Sequence, residues 1–389
     1  MNAEKSYKRI LLAFFWYDRD LHRGIVDYAR ENGWVAEIIG LPYHTYHVSA
    51  PPDGIIANLG FDDRLLSTVD RFACPLVDLA RNFPDRMVNR VLCDNRRVGE
   101  IAAGHFIDRN FENFLLVANF HSFASVDRFA GFCDKAAEAG LEDNVADHWF
   151  NKPPPRPGRG APGISEKIEI LGQVIADQPK PLAIFVQEDF LGTYVMEACN
   201  RHGLSVPSDV SILSCDDNEL ICESLPIPLS SIDTSMWRQG YEAARRLDEV
   251  LQSNDRKTET RCVPPGDVHV RQSSNIHAVE HPETRRALEI INRDFRNPLF
   301  DVNSLTERLH VSKSSLTQAF RKHLDRGVAE TIRSYRLEAS KEALRKGMTV
   351  ADCSCYCGFS DEKTFRRAFK ARYGMPPSQF PAKPGGAPA

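Results

Sequence analysis

The sequence predicts an α/β body built on parallel sheets, followed by an all-α domain that carries two helix-turn-helix units. Three observations lead there. From residue 9 to about residue 272, short apolar runs alternate with amphipathic helical stretches. Ser273–Pro282 is a polar break, and from Glu283 onward the pattern is helical throughout. Charge divides at the same place: residues 281–389 carry 20 Lys and Arg against 12 Asp and Glu, a balance of +8, whereas the rest carries 29 against 41, or −12. A basic domain on an acidic body points to a polyanionic partner for the basic part.

The expected strands are Ile10–Phe14, Val35–Ile39, Gly54–Leu59, Leu76–Leu79, Phe114–Ala118, Leu182–Val186 and Val210–Ser214. Each is short and mostly apolar, as strands covered on both faces are. Helices are expected between them at Leu21–Glu31, Arg96–Asp108, Ser125–Ala139, Ile164–Ala176 and Phe190–His202. Gly140 and Gly203 directly follow two of these, where a residue free to take positive φ ends a helix. Pro42–Pro52 reads as an aromatic, His-bearing loop, and Asn151–Gly163 (NKPPPRPGRGAPG) as a surface loop. The chain thus divides into an α/β domain at 7–272, a linker at 273–282, a helical domain at 283–380 and a disordered Pro/Gly tail at 381–389.

Several classes of function are set aside. No window approaches the roughly 18 consecutive apolar residues of a membrane span. The apolar run after Lys8-Arg9 reads as a buried first strand rather than a signal peptide. Ten cysteines without framework spacing, many in apolar runs (Cys74, Cys93, Cys133, Cys199, Cys215), fit reduced, buried thiols in a cytoplasmic protein. Cys353-x-Cys355-x-Cys357 lacks the spacing of a zinc knuckle; on a helix Cys353 and Cys357 share a face and Cys355 turns away. His44 and His47 have no convincing third ligand, so neither metal nor cofactor is expected. No GxSxG, Walker-type loop or HExxH occurs. The adjacent acids Asp216-Asp217 point in opposite directions at a strand end and cannot flank a scissile bond, so the chain is not expected to be an enzyme.

The first helical unit runs over Val302–Phe320. Leu305, Leu309, Val311, Leu316 and Phe320 let two short helices pack across a turn, with Ser312 as N-cap of the second. That second helix exposes Lys313, Ser314, Thr317, Gln318 and Arg321. A long amphipathic helix over about Ala329–Arg345 follows. In the second unit Gly358-Phe359-Ser360 makes the turn, Ser360 caps, and Phe365 and Phe369 return to the core. The string CGFSDEKTFRRAFKARYGMPPSQF resembles the signature of the AraC family of transcription factors, over about residues 283–380. That resemblance implies a major-groove helix in each unit, reading double-stranded DNA. Ser314, Thr317 and Gln318 would face bases in the first unit, and Glu362, Lys363, Arg366 and Arg367 in the second. Arg suits guanine, Gln adenine and Glu cytosine. Lys322, Lys370 and Arg372 would meet phosphates.

The body offers a second resemblance. Arg128-Phe129-Ala130-Gly131-Phe132, Phe185-Val186-Gln187-Glu188-Asp189, Val206–Ile212, Cys215-Asp216-Asp217-Asn218 and Pro228–Asp233 are similar to strings of LacI/GalR-type sugar-sensing domains. Those domains are periplasmic-binding-protein-like: two Rossmann-like lobes joined by three strand crossovers, with ligand in the cleft. LacI-type regulators carry their helix-turn-helix before that domain; here it follows the α/β part. That order, with Tyr17-Asp18-Arg19 after the first strand, is similar to bacterial xylose operon regulators. The resemblance implies a homodimeric regulator controlled by a small sugar, xylose or a similar pentose. A sugar site needs carboxylates and Arg for bidentate bonding plus an aromatic wall. Asp216, Arg128, Glu188, Asp94, Asp18 and Tyr17 are the candidate contacts, with Trp16, Phe15 or Met236 for the wall. Glu188 stands where that family usually has Asn. A non-sugar ligand, or a partner protein on the same fold, is the alternative.

Overall fold

The computed structural model describes residues 7–40, 46–119, 122–151, 162–253, 257–279 and 281–380. His44, most of the Asn151–Gly163 loop and the 381–389 tail lie outside them. The chain opens with β1 (Lys8–Phe14), α1 (Arg19–Asn32), β2 (Trp34–Gly40), β3 (Gly54–Asn58), α2 (Asp63–Val69), β4 (Leu76–Asp78) and β5 (Asn89–Cys93). It continues with α3 (Asn95–Ile107), β6 (Asn113–Ala118), α4 (Phe123–Glu138), β7 (Val145–Trp149), α5 (Ile164–Asp177), β8 (Leu182–Val186) and α6 (Asp189–Arg201). Then come β9 (Val210–Cys215), α7 (Glu219–Ser224), β10 (Ser230–Ile232), α8 (Met236–Gln252), β11 (Thr260–Val263) and β12 (Val268–His269). The remainder is helical: α9 (Pro282–Asp294), α10 (Val302–Leu309), α11 (Lys313–Leu324), α12 (Val328–Arg345), α13 (Val350–Tyr356) and α14 (Glu362–Tyr373).

The strands form two six-stranded sheets, ordered β11-β5-β4-β3-β1-β2 and β12-β10-β9-β8-β6-β7. The first is parallel throughout; in the second only β12 runs antiparallel, against β10. The chain therefore passes between the sheets three times, after β5, after β10 and after β11. The central strands are apolar because helices cover both faces: every residue of β3 (GIIAN) and β8 (LAIFV) is buried.

The residues fall into two compact units. One comprises 1–100, 121–132 and 233–267; the other comprises 101–120, 133–232 and 268–389. In the first unit α1 and α8 pack closely because Gly24 faces the Trp237 carbonyl, and a Cβ there would sit 2.0 Å from that oxygen. The second unit includes the helical region. Its Ser273 and Ser274 are buried, and the Ser273 hydroxyl bonds the Ile212 carbonyl at 2.7 Å and the Ser230 amide at 2.8 Å. The 273–282 segment is thus packed on the second sheet at its start rather than strung out in solvent.

Two local expectations change. Cys133 is exposed on α4, one residue past the buried Phe132, while Cys93, Cys199 and Cys215 are buried. The cap of α14 is Asp361, which accepts from the Thr364 amide at 2.7 Å, and Ser360 only bonds the Asp361 carboxylate. A carboxylate satisfies that amide and the helix dipole together, so it displaces the neighbouring hydroxyl.

Candidate nucleic-acid interface and ligand-facing residues

The helical region builds two similar units around a shared core. In the first, Ser312 caps α11 by accepting from Ser315, and His310 makes the turn with φ 56°. Leu305, Leu309, Leu316, Phe320 and Leu324 are buried. In the second, Gly358 turns with φ 80°, and a Cβ there would lie 2.4 Å from the Phe295 carbonyl, so the turn needs glycine twice over. Phe365 and Phe369 are fully buried, as are Cys353 and Cys357, and Cys355 is exposed. Arg336 of α12 donates to the carbonyls of Phe295, Asn297 and Phe300, closing the end of α9. It is a structural arginine.

The core side chains leave the opposite faces of α11 and α14 to solvent. On α11, Ser314 and Gln318 are exposed beside Lys313 and Arg321. Thr317 is half-buried and gives its proton to the Lys313 carbonyl at 2.7 Å, which leaves its hydroxyl oxygen as an acceptor. On α14, Lys363, Arg366, Arg367, Lys370 and Arg372 are exposed. Glu362 accepts from Arg366 Nε at 2.6 Å, an i,i+4 pair that holds the guanidinium along the helix surface. Lys322 is exposed at the end of α11.

Of the expected ligand contacts, Tyr17, Asp18, Asp94 and Arg128 belong to the first unit, and Glu188 and Asp216 to the second. In the first unit α3 and α4 approach through glycine: a Cβ on Gly131 would lie 2.0 Å from the Arg96 carbonyl. That contact seats the buried Arg128, whose Nε donates to Asn95 Oδ1 at 2.9 Å. Asp94 accepts from the Arg97 amide at 3.1 Å and Asp18 from the Leu21 amide at 2.8 Å, so both also cap helices. Asn58, at the end of β3, accepts from the Phe15 and Trp16 amides and donates to the Trp16 carbonyl, fixing the loop that carries Tyr17. Trp16 and Tyr17 are exposed; Phe15 and Met236 pack against the core.

In the second unit Asp216 and Asp217 follow β9 with φ 97° and 50°. The backbone thus turns sharply and sends the two carboxylates different ways. Asp217 is buried and paired, whereas Asp216 is half-exposed. Asp189 holds the turn: it accepts from Ser214, from Ser231 Oγ at 2.7 Å and from the Asn218 amide at 2.7 Å. Burial, with the nearby Asp216 charge, pushes the Asp189 carboxyl up to about 7. Glu188 accepts weakly from Asn119 Nδ2 at 3.4 Å. Asn58, Asn95, Asn119 and Asp189 were not foreseen; the first three stand beside strand ends, where a polar residue after an apolar run is the available signal. Among the described residues no cluster of His, Cys, Asp or Glu could hold a metal ion, and no helix is long and apolar enough to cross a membrane.

Residues 103–274 match the periplasmic binding protein-like domain family, and residues 305–383 a helix-turn-helix domain family. The xylose operon regulatory protein of Haemophilus influenzae is 23% identical over 402 residues, covering 97% of this chain and 99% of that one. The regulator DegA of Bacillus subtilis is 24% identical over 57% of this chain and 64% of its own length. Among solved structures, the xylose-binding transcription activator XylR superposes with a TM-score of 0.67 at 20% identity, over 97% of this chain and 98% of that one. A LacI family regulator from Enterococcus faecium with bound ribose superposes with a TM-score of 0.54 at 19% identity, over 69% of this chain and 98% of that one. The two parallel sheets crossed three times and the paired helix-turn-helix units agree with both halves of this likeness. The chain joins a periplasmic-binding-protein-like domain to an AraC-type helix-turn-helix region, and along nearly its whole length it resembles the xylose regulators named above.

Proposed function

We propose that the chain binds specific operator DNA as a homodimer, under the control of a small sugar, xylose or a similar pentose. The observation that carries the sugar reading is the Asp216 turn. A half-exposed carboxylate is held in a left-handed backbone by a buried Asp189, in a chain of which 97% aligns with the xylose operon regulatory protein of Haemophilus influenzae. Such rigid placement suits bidentate bonding to vicinal hydroxyls. Arg128, anchored on Asn95, supplies donors for the same chemistry, and Tyr17 with Trp16 supplies aromatic surface. Glu188, Asp94 and Asp18 are further contacts in this reading.

On DNA, Ser314, Thr317 and Gln318 read one stretch of bases. Glu362, Lys363, Arg366 and Arg367 read another, and Lys322, Lys370 and Arg372 bind phosphates. Doubling the protomer lengthens the site read and multiplies affinity. Titration calorimetry with D-xylose, D-ribose, L-arabinose and D-glucose tests the sugar claim. Heat from a pentose is expected, and its loss in Asp216→Ala and Arg128→Ala. No heat across the panel would refute the reading and favour a non-sugar effector on the same fold.

A further inference from the structure

The second unit contains a chain of buried charge that neither sugar contact nor base reading uses. On α12, Tyr335, Glu338 and Glu342, with Lys346 just past the helix end, fall at intervals of three or four and so form one stripe. Glu342 approaches His269, the last residue of β12, and Arg271, two residues on: its carboxylate lies 3.5 Å from His269 Nδ1 and 3.7 Å from Arg271 Nη2. Lys346 Nζ lies 3.0 Å from Glu219 and 3.3 Å from Glu223, both on α7. From the sheet side, Arg271 bonds Glu223 at 2.8 Å and Asp217 at 2.9 Å, and His269 Nδ1 lies 2.6 Å from Asp217. Burial opposes the charge on Arg271, yet Asp217, Glu342 and Glu223 together hold the guanidinium protonated.

We infer that Asp217 is a positioning residue that ties the central helix of the DNA-binding region to the ligand-facing turn, acting through His269 and Arg271 on Glu342. The inference rests on the reading of Asp216 as the ligand contact. Asp217 is the next residue, and both sit in left-handed backbone with the Asp217 amide fixed on Ser231 Oγ at 2.9 Å. Force that a ligand exerts on Asp216 therefore passes directly to Asp217. An apolar seat for α12 would tolerate such a shift, but buried ion pairs depend steeply on geometry. His269, Arg271 and Asp217 are all buried, so a displacement of any one of them is felt by the others.

Coupling of this kind must be reciprocal. In the full-length protein, Asp217→Asn should speed amide exchange in residues 338–345 about tenfold or more, and Glu342→Gln should do the same in residues 216–224, both without sugar. Glu342→Gln should also lower the ratio of DNA affinities with and without D-xylose by about fivefold, while D-xylose still gives measurable heat. If Asp217→Asn fails to fold, Glu342→Gln carries the test alone. Unaltered exchange across the seat overturns the proposal. So does an unchanged affinity ratio with normal xylose heat, which would make the cluster a structural joint only. Absence of xylose heat from the native protein would instead refute the sugar reading, and the exchange arm would still decide the tie between turn and helix.

Discussion

Asp189 offers a quantitative test of the second sheet's polar core. Its native carboxyl titrates at about 7 against a usual 3.8, chiefly because burial disfavours the anion and secondarily because Asp216 is near. A raised native value means the folded state keeps a proton that the unfolded state has already released. Stability is therefore greatest below the unfolded value and falls as pH rises through the window from 3.8 to about 7. Between about pH 5 and pH 8 the single group withdraws about 3 kcal/mol, each tenfold change in proton affinity being worth about 1.4 kcal/mol. Asp189→Asn keeps the shape and can still accept from the Asn218 amide while donating to Ser214 or Ser231, so the fold should survive. Urea unfolding of native and variant proteins at both pH values, followed by circular dichroism, gives the difference. The variant should lose about 3 kcal/mol less than native protein on going to the higher pH. Asp78, also pushed up to about 7 by burial, titrates in both proteins and cancels from the comparison. Equal pH dependence in native and variant would refute the reasoning.

Gly131→Ala should destabilise the first unit by about 1–3 kcal/mol, since its Cβ meets the Arg96 carbonyl; sugar affinity should fall with the displaced Arg128, as calorimetry would report. Asp361→Ala removes the cap of α14 and should cost about 1 kcal/mol, visible as faster amide exchange at Thr364 before any loss of the sensor's fold. Arg366→Ala should relax base preference at one position by about 1–3 kcal/mol in a binding-site selection. Lys370→Ala should weaken all sequences alike and reduce the slope of log affinity against log salt by about 1.

Leu182–Val186 was legible because its five positions are all apolar and all buried. The short β10 and the start of β5 were not, because polar side chains stand among their apolar ones. Ser230 and Ser231 of β10 are fully buried because Ser273, Arg271 and Asp189 satisfy them from distant positions in the chain. Arg90 in β5 is buried because Asp78 and the carbonyls of Phe83 and Arg86 receive its guanidinium. Helix α8 escaped because its packed face is built from Gly240, Ala243 and Ala244, small residues chosen for close approach to α1 rather than for hydrophobicity. The helix-turn-helix faces were readable because turn, cap and core spacing are local. The setting of Asp216 was not, since Asp189, Ser231 and Asn218 meet there only after folding.

The central claim is that a sugar in the sensor changes the hold of the helix-turn-helix region on DNA. Fluorescence anisotropy of the full-length protein on a DNA fragment recovered by binding-site selection, with and without saturating D-xylose, tests it most directly. The account predicts a change in Kd of about fivefold or more, abolished by Asp216→Ala. The same Kd with and without D-xylose, D-ribose, L-arabinose and D-glucose would contradict it.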